Sequence, residues 1–210
     1  MPPRSASACW IGWSPRITRT DHDRALTFRV ALLRHPPVRT RPNHCYGRTD
    51  LPLLDGWEAT LPALAATLAA VPPLLVRTSP LSRCLLPAQA LGGLLEIPVH
   101  IDPRLIELDF GEWDGLDWDD VPRASLDLWA ADPLGFAAPG GESGTMLMRR
   151  VEAVCADIRA KAVDCLVVSH GGPLRLLGPM LRGEVPDVLA PAPAMGSLEI
   201  VLVNGLQAVR

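Results

Sequence analysis

The chain has 210 residues, 48% of them apolar, and a formal net charge of −3. That length fits one large domain with room for a small cap, and the charge gives no bulk affinity for nucleic acid or an anionic membrane. The five cysteines (Cys9, Cys45, Cys84, Cys155 and Cys165) have no short paired spacing. They fit neither a disulfide framework nor a four-ligand zinc site, and read as reduced thiols of a cytoplasmic protein. No apolar run of about 18 residues marks a membrane span.

Residues 1–28 carry arginines but no apolar signal core and no sustained period. They read as a poorly ordered N-terminal extension, or as sequence upstream of the native start, leaving 29–210 as the domain. Trp10 and Trp13 are the extension's candidates for packing on the domain surface. A strand is predicted over 28–33, ending at Arg34-His35, and a Pro-rich loop leads to CYGRTDLPL. Leu61, Leu64, Ala65 and Leu68 recur at helical spacing within 58–70, and Pro72-Pro73 end that helix. A second strand covers 74–78. Ser79 is the expected N-cap of the next helix, with Pro80 just inside it and Arg83 in its first turn. A short strand at 99–101 leads into an acidic, tryptophan-bearing stretch that runs to Pro139 without a clean period and reads as a cap or insertion over a site. Helices follow over 146–160 and 173–181, and strands over 166–169 and 197–203. Strands alternating with helices imply an α/β domain with a largely parallel sheet.

Two of those apolar strands stop at a histidine, in VALLRHPPV (His35) and CLVVSHGGPLR (His170). Ligands of open α/β sheets sit beyond the carboxyl ends of the strands. A neutral imidazole is a competent nucleophile toward phosphorus, and a phosphoramidate divides hydrolysis into two easier steps. Arg34 and Arg83 offer planar forks matched to phosphoryl oxygens, Arg83 from a helix N-terminus that itself favours anions. His170 is placed to donate to the same oxygens. A phosphate monoester also needs a proton for its leaving oxygen. Glu107 is the first candidate for that role, with Asp109, Glu112 and Asp114 competing on spacing alone.

Arg34-His35, GRTD, SPLSRC, LIELDFGEWDG, PGGES and VVSHGGPLR occur in this order. Together they resemble the histidine phosphatase, or phosphoglycerate mutase-like, superfamily over roughly residues 29–203. The resemblance implies a three-layer α/β/α sandwich with a mostly parallel central sheet and a small cap insertion. It also implies a phosphorylated His35, a phosphate pocket of Arg34, Arg83 and His170, and Glu107 as the acid, four residues before Gly111. Gly171 would offer a backbone N–H to phosphate, and Arg48 matches a loop lining the same pocket. The CYGRTDLPL and FGEWDG wording looks most like the α-ribazole-5'-phosphate phosphatase branch of cobalamin synthesis. The family's glycine after the nucleophile is replaced here by Pro36, which removes an N–H and biases His35 toward extended angles. Activity survives if that glycine gives only conformational freedom; phosphate affinity falls if its N–H grips the ligand.

The expected activity is therefore a metal-independent phosphomonoesterase acting on a small phosphorylated metabolite, with no cofactor and no nucleic-acid or membrane partner. An exposed last strand offers an edge for a homodimer. The rivals are a mutase, against which the compact chain argues, a non-catalytic phospho-ligand sensor, raised by Pro36 and opposed by the intact His35, Arg83, Glu107 and His170 set, and a metal-dependent hydrolase disfavoured by the arginines among its ligands. Glu142 and Ser143 read as helix caps, Trp113 and Trp118 as packing anchors that could stack on an aromatic substrate, and His100 as an ordinary strand residue. His44-Cys45 has too few neighbours for a metal site.

Overall fold

The computed structural model describes residues 27–204. Cys9, Trp10, Trp13 and the rest of the expected extension lie outside the described residues, except Thr27 and Phe28, which belong to the first strand. Phe28 joins that strand because its ring is buried in the core.

Five strands form one sheet: β1 (Thr27–Arg34), β2 (Leu75–Thr78), β3 (Val99–Ile101), β4 (Cys165–Ser169) and β5 (Leu198–Asn204). Their order is β3-β2-β4-β1-β5, parallel throughout except for β5, which runs antiparallel to β1. The helices are α1 (Leu61–Ala69), α2 (Ser82–Leu95), α3 (Arg123–Ala131), α4 (Gly144–Lys161) and α5 (Gly171–Arg182).

Strand alternation sends side chains to two cores. Phe28, Val30 and Leu32 of β1 pack with α4 and α5, while Ala31 and Leu33 pack with α1 and α2. The result is the expected sandwich of three layers. The aromatic residues between 110 and 136 form a third, smaller cluster with Cys45 and Val121, which is the cap. No helix among the described residues is long and apolar enough to cross a membrane.

Three elements differ from expectation. The start of the first helix is a 3-10 turn at Trp57–Thr60, ahead of α1. The stretch without a clean period contains α3, a short helix with no fully buried residue, whose Leu126 and Trp129 are only half-buried against the cap cluster. And α2 begins at Ser82, three residues after Ser79, which is not its cap. The α2 N-terminus is closed from outside instead: the Asp50 carboxylate accepts from the Ser82 backbone N–H at 3.0 Å and from its hydroxyl at 2.9 Å.

Candidate active site

The parallel pairing of β1 with β4 places Arg34 opposite Ser169, so the next residue of each strand, His35 and His170, leaves the sheet side by side. Their ring centroids are 5.3 Å apart with planes at 63°, and both side chains are almost wholly buried. His35 Nδ1 lies 2.7 Å from the Pro36 carbonyl oxygen. A carbonyl only accepts, so Nδ1 carries the proton and Nε2 keeps its lone pair. Burial pushes the His35 pKa down to about 3; the Pro36 carbonyl opposes this, and Arg83 and Arg34 reinforce it. The ring is therefore neutral at physiological pH. Residue 36 serves His35 through its carbonyl, which proline retains.

His170 is engaged differently from the expected phosphate donor. Its Nδ1 accepts from Arg83 Nε at 3.2 Å, and its Nε2 is 2.7 Å from Ser79 Oγ. With Nδ1 an acceptor, the proton sits on Nε2 and points at Ser79. Burial, then the Arg83 charge, holds the imidazole well below the usual histidine range. Both nitrogens thus have protein partners, and the ring braces Arg83 and lies against His35. Ser79, read from sequence as a cap, is the second of those partners. Cys84 Sγ also lies 3.4 Å from His170 Nε2, and burial raises its thiol pKa, which keeps it protonated.

Arg83 is fully buried. It donates to the Thr49 carbonyl at 2.7 Å and the Gly47 carbonyl at 2.6 Å, tying α2 to the GRTD loop. That loop is folded around Asp114, whose Oδ2 accepts the backbone N–H groups of Gly47, Arg48 and Thr49 at 3.3, 2.7 and 3.2 Å. Arg34 donates to the Pro193 carbonyl at 2.6 Å, and its guanidinium approaches Gly171, where Cζ would lie 3.2 Å from an added Cβ. Gly171 opens α5, so its N–H is one of the free donors of a helix N-terminus.

The four acidic candidates are sorted by what each carboxylate touches. Glu112 is exposed. Asp114 is occupied by the loop. Asp109 accepts from the Gly111 N–H at 2.9 Å and faces Arg48 at 3.8 Å. Glu107 alone reaches α5, its Oε1 accepting the Gly172 N–H at 3.1 Å and the Leu108 N–H at 2.9 Å. Arg48 itself is exposed, and its guanidinium is directed at Asp109 and Glu142 rather than at the histidines. The cap expectation splits: Ser143 Oγ does accept from the Met146 N–H at the start of α4, whereas Glu142 forms an ion pair with Arg150. His100 is exposed on β3, and His44 faces Asp117 at 3.7 Å. Among the described residues no group of His, Cys, Asp and Glu is placed to hold a metal.

A cleft of about 260 Å³ opens beside this set. It is lined by Arg34, Glu107, Gly171 and Gly172 together with Trp118, Trp129 and other aromatic rings of the cap. Trp113 is the buried anchor predicted from sequence, stacked on Phe136 at 5.7 Å. Trp118 packs edge-on against Phe110 and Trp113 and also borders the cleft. Arg175, which sequence reasoning passed over, lines the cleft from α5. Its position four residues after Gly171, on the same helix face, was the available signal.

Comparisons with known proteins address the family of the chain. The chain is 30% identical over 189 residues to glucosyl-3-phosphoglycerate phosphatase of Mycolicibacterium vanbaalenii, covering 84% of each. It is 30% identical over 156 residues to a bifunctional protein of Mycobacterium tuberculosis, of which it spans 43%. The solved α-ribazole phosphatase of Shigella flexneri superposes with a TM-score of 0.74 at 26% identity, over 82% of this chain and 89% of that one. The model of the histidine phosphatase superfamily, branch 1, matches residues 30–201. The chain belongs to that superfamily.

Proposed function

We propose that this protein hydrolyses a small phosphorylated metabolite through a phosphohistidine at His35, without a metal ion. The observation that carries this reading is the 2.7 Å contact of His35 Nδ1 with the Pro36 carbonyl, which leaves Nε2 as the free nucleophile. In the first step Nε2 attacks phosphorus, the ester P–O bond breaks, and Glu107 gives its proton to the leaving oxygen. In the second, the Glu107 carboxylate takes a proton from water as that water attacks phosphorus. The P–N bond breaks and inorganic phosphate leaves. Arg34, Arg83 and the Gly171 N–H offer cationic and dipolar partners for the phosphoryl oxygens, and His170 holds Arg83. The test is hydrolysis of p-nitrophenyl phosphate in EDTA. Turnover that His35→Ala abolishes supports the reading, and complete dependence on added metal overturns it.

Two of these similar proteins point to different leaving groups: glucosyl-3-phosphoglycerate phosphatase to one with a glycerate carboxylate, α-ribazole phosphatase to a nucleoside. The cleft supports the first. Among the described residues Arg34 and Arg175 form no ion pair, and the Nε atom of each is buried without a partner. A phosphoryl dianion matches Arg34 and Arg83, leaving Arg175 about 6 Å further along α5 from Gly171 to meet a second anion. The favoured substrate class is therefore a phosphate monoester of a hydroxy acid. Ribazole phosphate, with its aromatic base, draws its support from Trp118 and Trp129 in the cap.

A further inference from the structure

We infer that Arg150, a residue of α4 outside the cleft, is the positioning residue for the general acid, acting with Glu142 as a clamp on the loop that carries Glu107. The inference rests on the reading of Glu107 as that acid. All five guanidinium protons are committed. Nε and Nη2 donate to the two oxygens of Glu142 at 2.7 and 2.9 Å. Nη1 donates to the carbonyls of Arg104 and Ile106 at 2.6 and 2.5 Å, and Nη2 also donates to the carbonyl of Glu107 itself at 3.1 Å. The Glu142 carboxylate then accepts the Asp109 N–H at 3.3 Å, so the pair grips the loop on both sides of Glu107.

Such a grip is needed because the loop has no ladder of its own. A 3-10 turn ends at Leu105, and residues 107–110 belong to no helix or strand. Backbone carbonyls at a partly buried position must find donors, and here one side chain supplies three of them. The ion pair is itself shielded, with side-chain exposures of 15% for Arg150 and 8% for Glu142. A planar fork is the only side chain that reaches two carboxylate oxygens and three carbonyls at once; the lysine ammonium, with three donors on one atom, does not. At the other end of the loop, Gly172 fixes the Glu107 carboxylate. Arg150 thus sets where the Glu107 backbone sits, and α5 sets where its carboxylate points.

The experiment is a double-mutant cycle read on two substrates that differ in their leaving group, phenyl phosphate and p-nitrophenyl phosphate. If Arg150 acts through Glu107, Arg150→Met loses about ten- to a hundredfold more kcat on phenyl phosphate than on p-nitrophenyl phosphate. Arg150→Lys gives the same bias rather than rescue, and Arg150→Met adds less than about threefold in a Glu107→Gln background. Multiplicative losses in the double variant, equal losses on the two substrates, or rescue by lysine would each overturn the clamp. Glu107→Gln alone tests the underlying reading: without a leaving-group bias in that single variant, Glu107 is not the acid. Should Arg150→Met not fold, Glu142→Gln removes the other half of the clamp and is held to the same outcomes.

Discussion

The Glu107 carboxylate is hydrogen-bonded to the backbone of Gly172, two residues after His170, so the acid and the second histidine are set by one strand-to-helix turn. Oε1 accepts the Gly172 N–H at 3.1 Å, and a Cβ at residue 172 would lie 2.4 Å from that same oxygen. Gly172→Ala therefore displaces the carboxylate without touching the nucleophile. The expected outcome is a fall in kcat of about ten- to a hundredfold on phenyl phosphate. The melting temperature should fall by only a few degrees. Steady-state kinetics beside a thermal melt check this, and full activity in Gly172→Ala would show that the contact is incidental.

The buried histidines make stability depend on pH in a stated direction. An unfolded chain binds a proton at His35 near the ordinary value of 6.5, whereas the folded chain does so only at about 3. Between those values the unfolded state holds more protons, so stability rises with pH and is lost on acidification below about 6.5. His170, lowered in the same direction, adds to the loss. Each contributes a slope of up to about 1.4 kcal/mol per pH unit. Urea unfolding at several values between pH 7.5 and 5 measures it. In NMR spectra both imidazoles should remain neutral across that range, and a ring that titrates near 6.5 in the folded protein contradicts the assignment.

Arg83 joins three pieces of chain, and lysine cannot replace it. Arg83→Lys loses the fork that holds His170, Gly47 and Thr49 together. Leaving the buried His170 imidazole and Gly47 carbonyl without their donors costs about 1.5–3 kcal/mol. The activity loss should exceed what unfolding explains, because a phosphate ligand also loses one of its forks. Inorganic phosphate inhibition, measured well below the melting point, should weaken at least about tenfold.

Arg175 distinguishes the substrate classes through a matched pair, 3-phosphoglycerate and glycerol 3-phosphate, which differ only by the carboxylate. As competitors of p-nitrophenyl phosphate, the acid should bind at least about tenfold tighter to the wild-type protein. Arg175→Gln should bring the two inhibition constants together. Equal constants in the wild type would move the reading toward a neutral nucleoside leaving group.

The parts of the site legible in the sequence are those fixed by the sheet. His35 and His170 each end an apolar strand, and two parallel strands must deliver their last residues to one edge. Ser79 was misread because a serine before a proline near a helix start has the chemistry of a cap, and only the parallel pairing of β2 with β4 brings His170 beside it. Spacing could not separate Glu107 from Asp109, Glu112 and Asp114, since all four share one irregular stretch. Their carboxylates differ in what they bond, and those bonds come from α5, the GRTD loop and Arg48. The Arg150 clamp was invisible for the same reason: its partners at 104, 106 and 107 are backbone carbonyls, which every residue carries.

Rapid-quench trapping reads the proposed covalent intermediate at His35 itself. With a labelled phosphate monoester in EDTA, a base-stable, acid-labile phosphoryl group is expected that mass spectrometry maps to His35 and that is absent from His35→Ala. A phosphoryl group on any other residue, or undiminished turnover by His35→Ala, would contradict it.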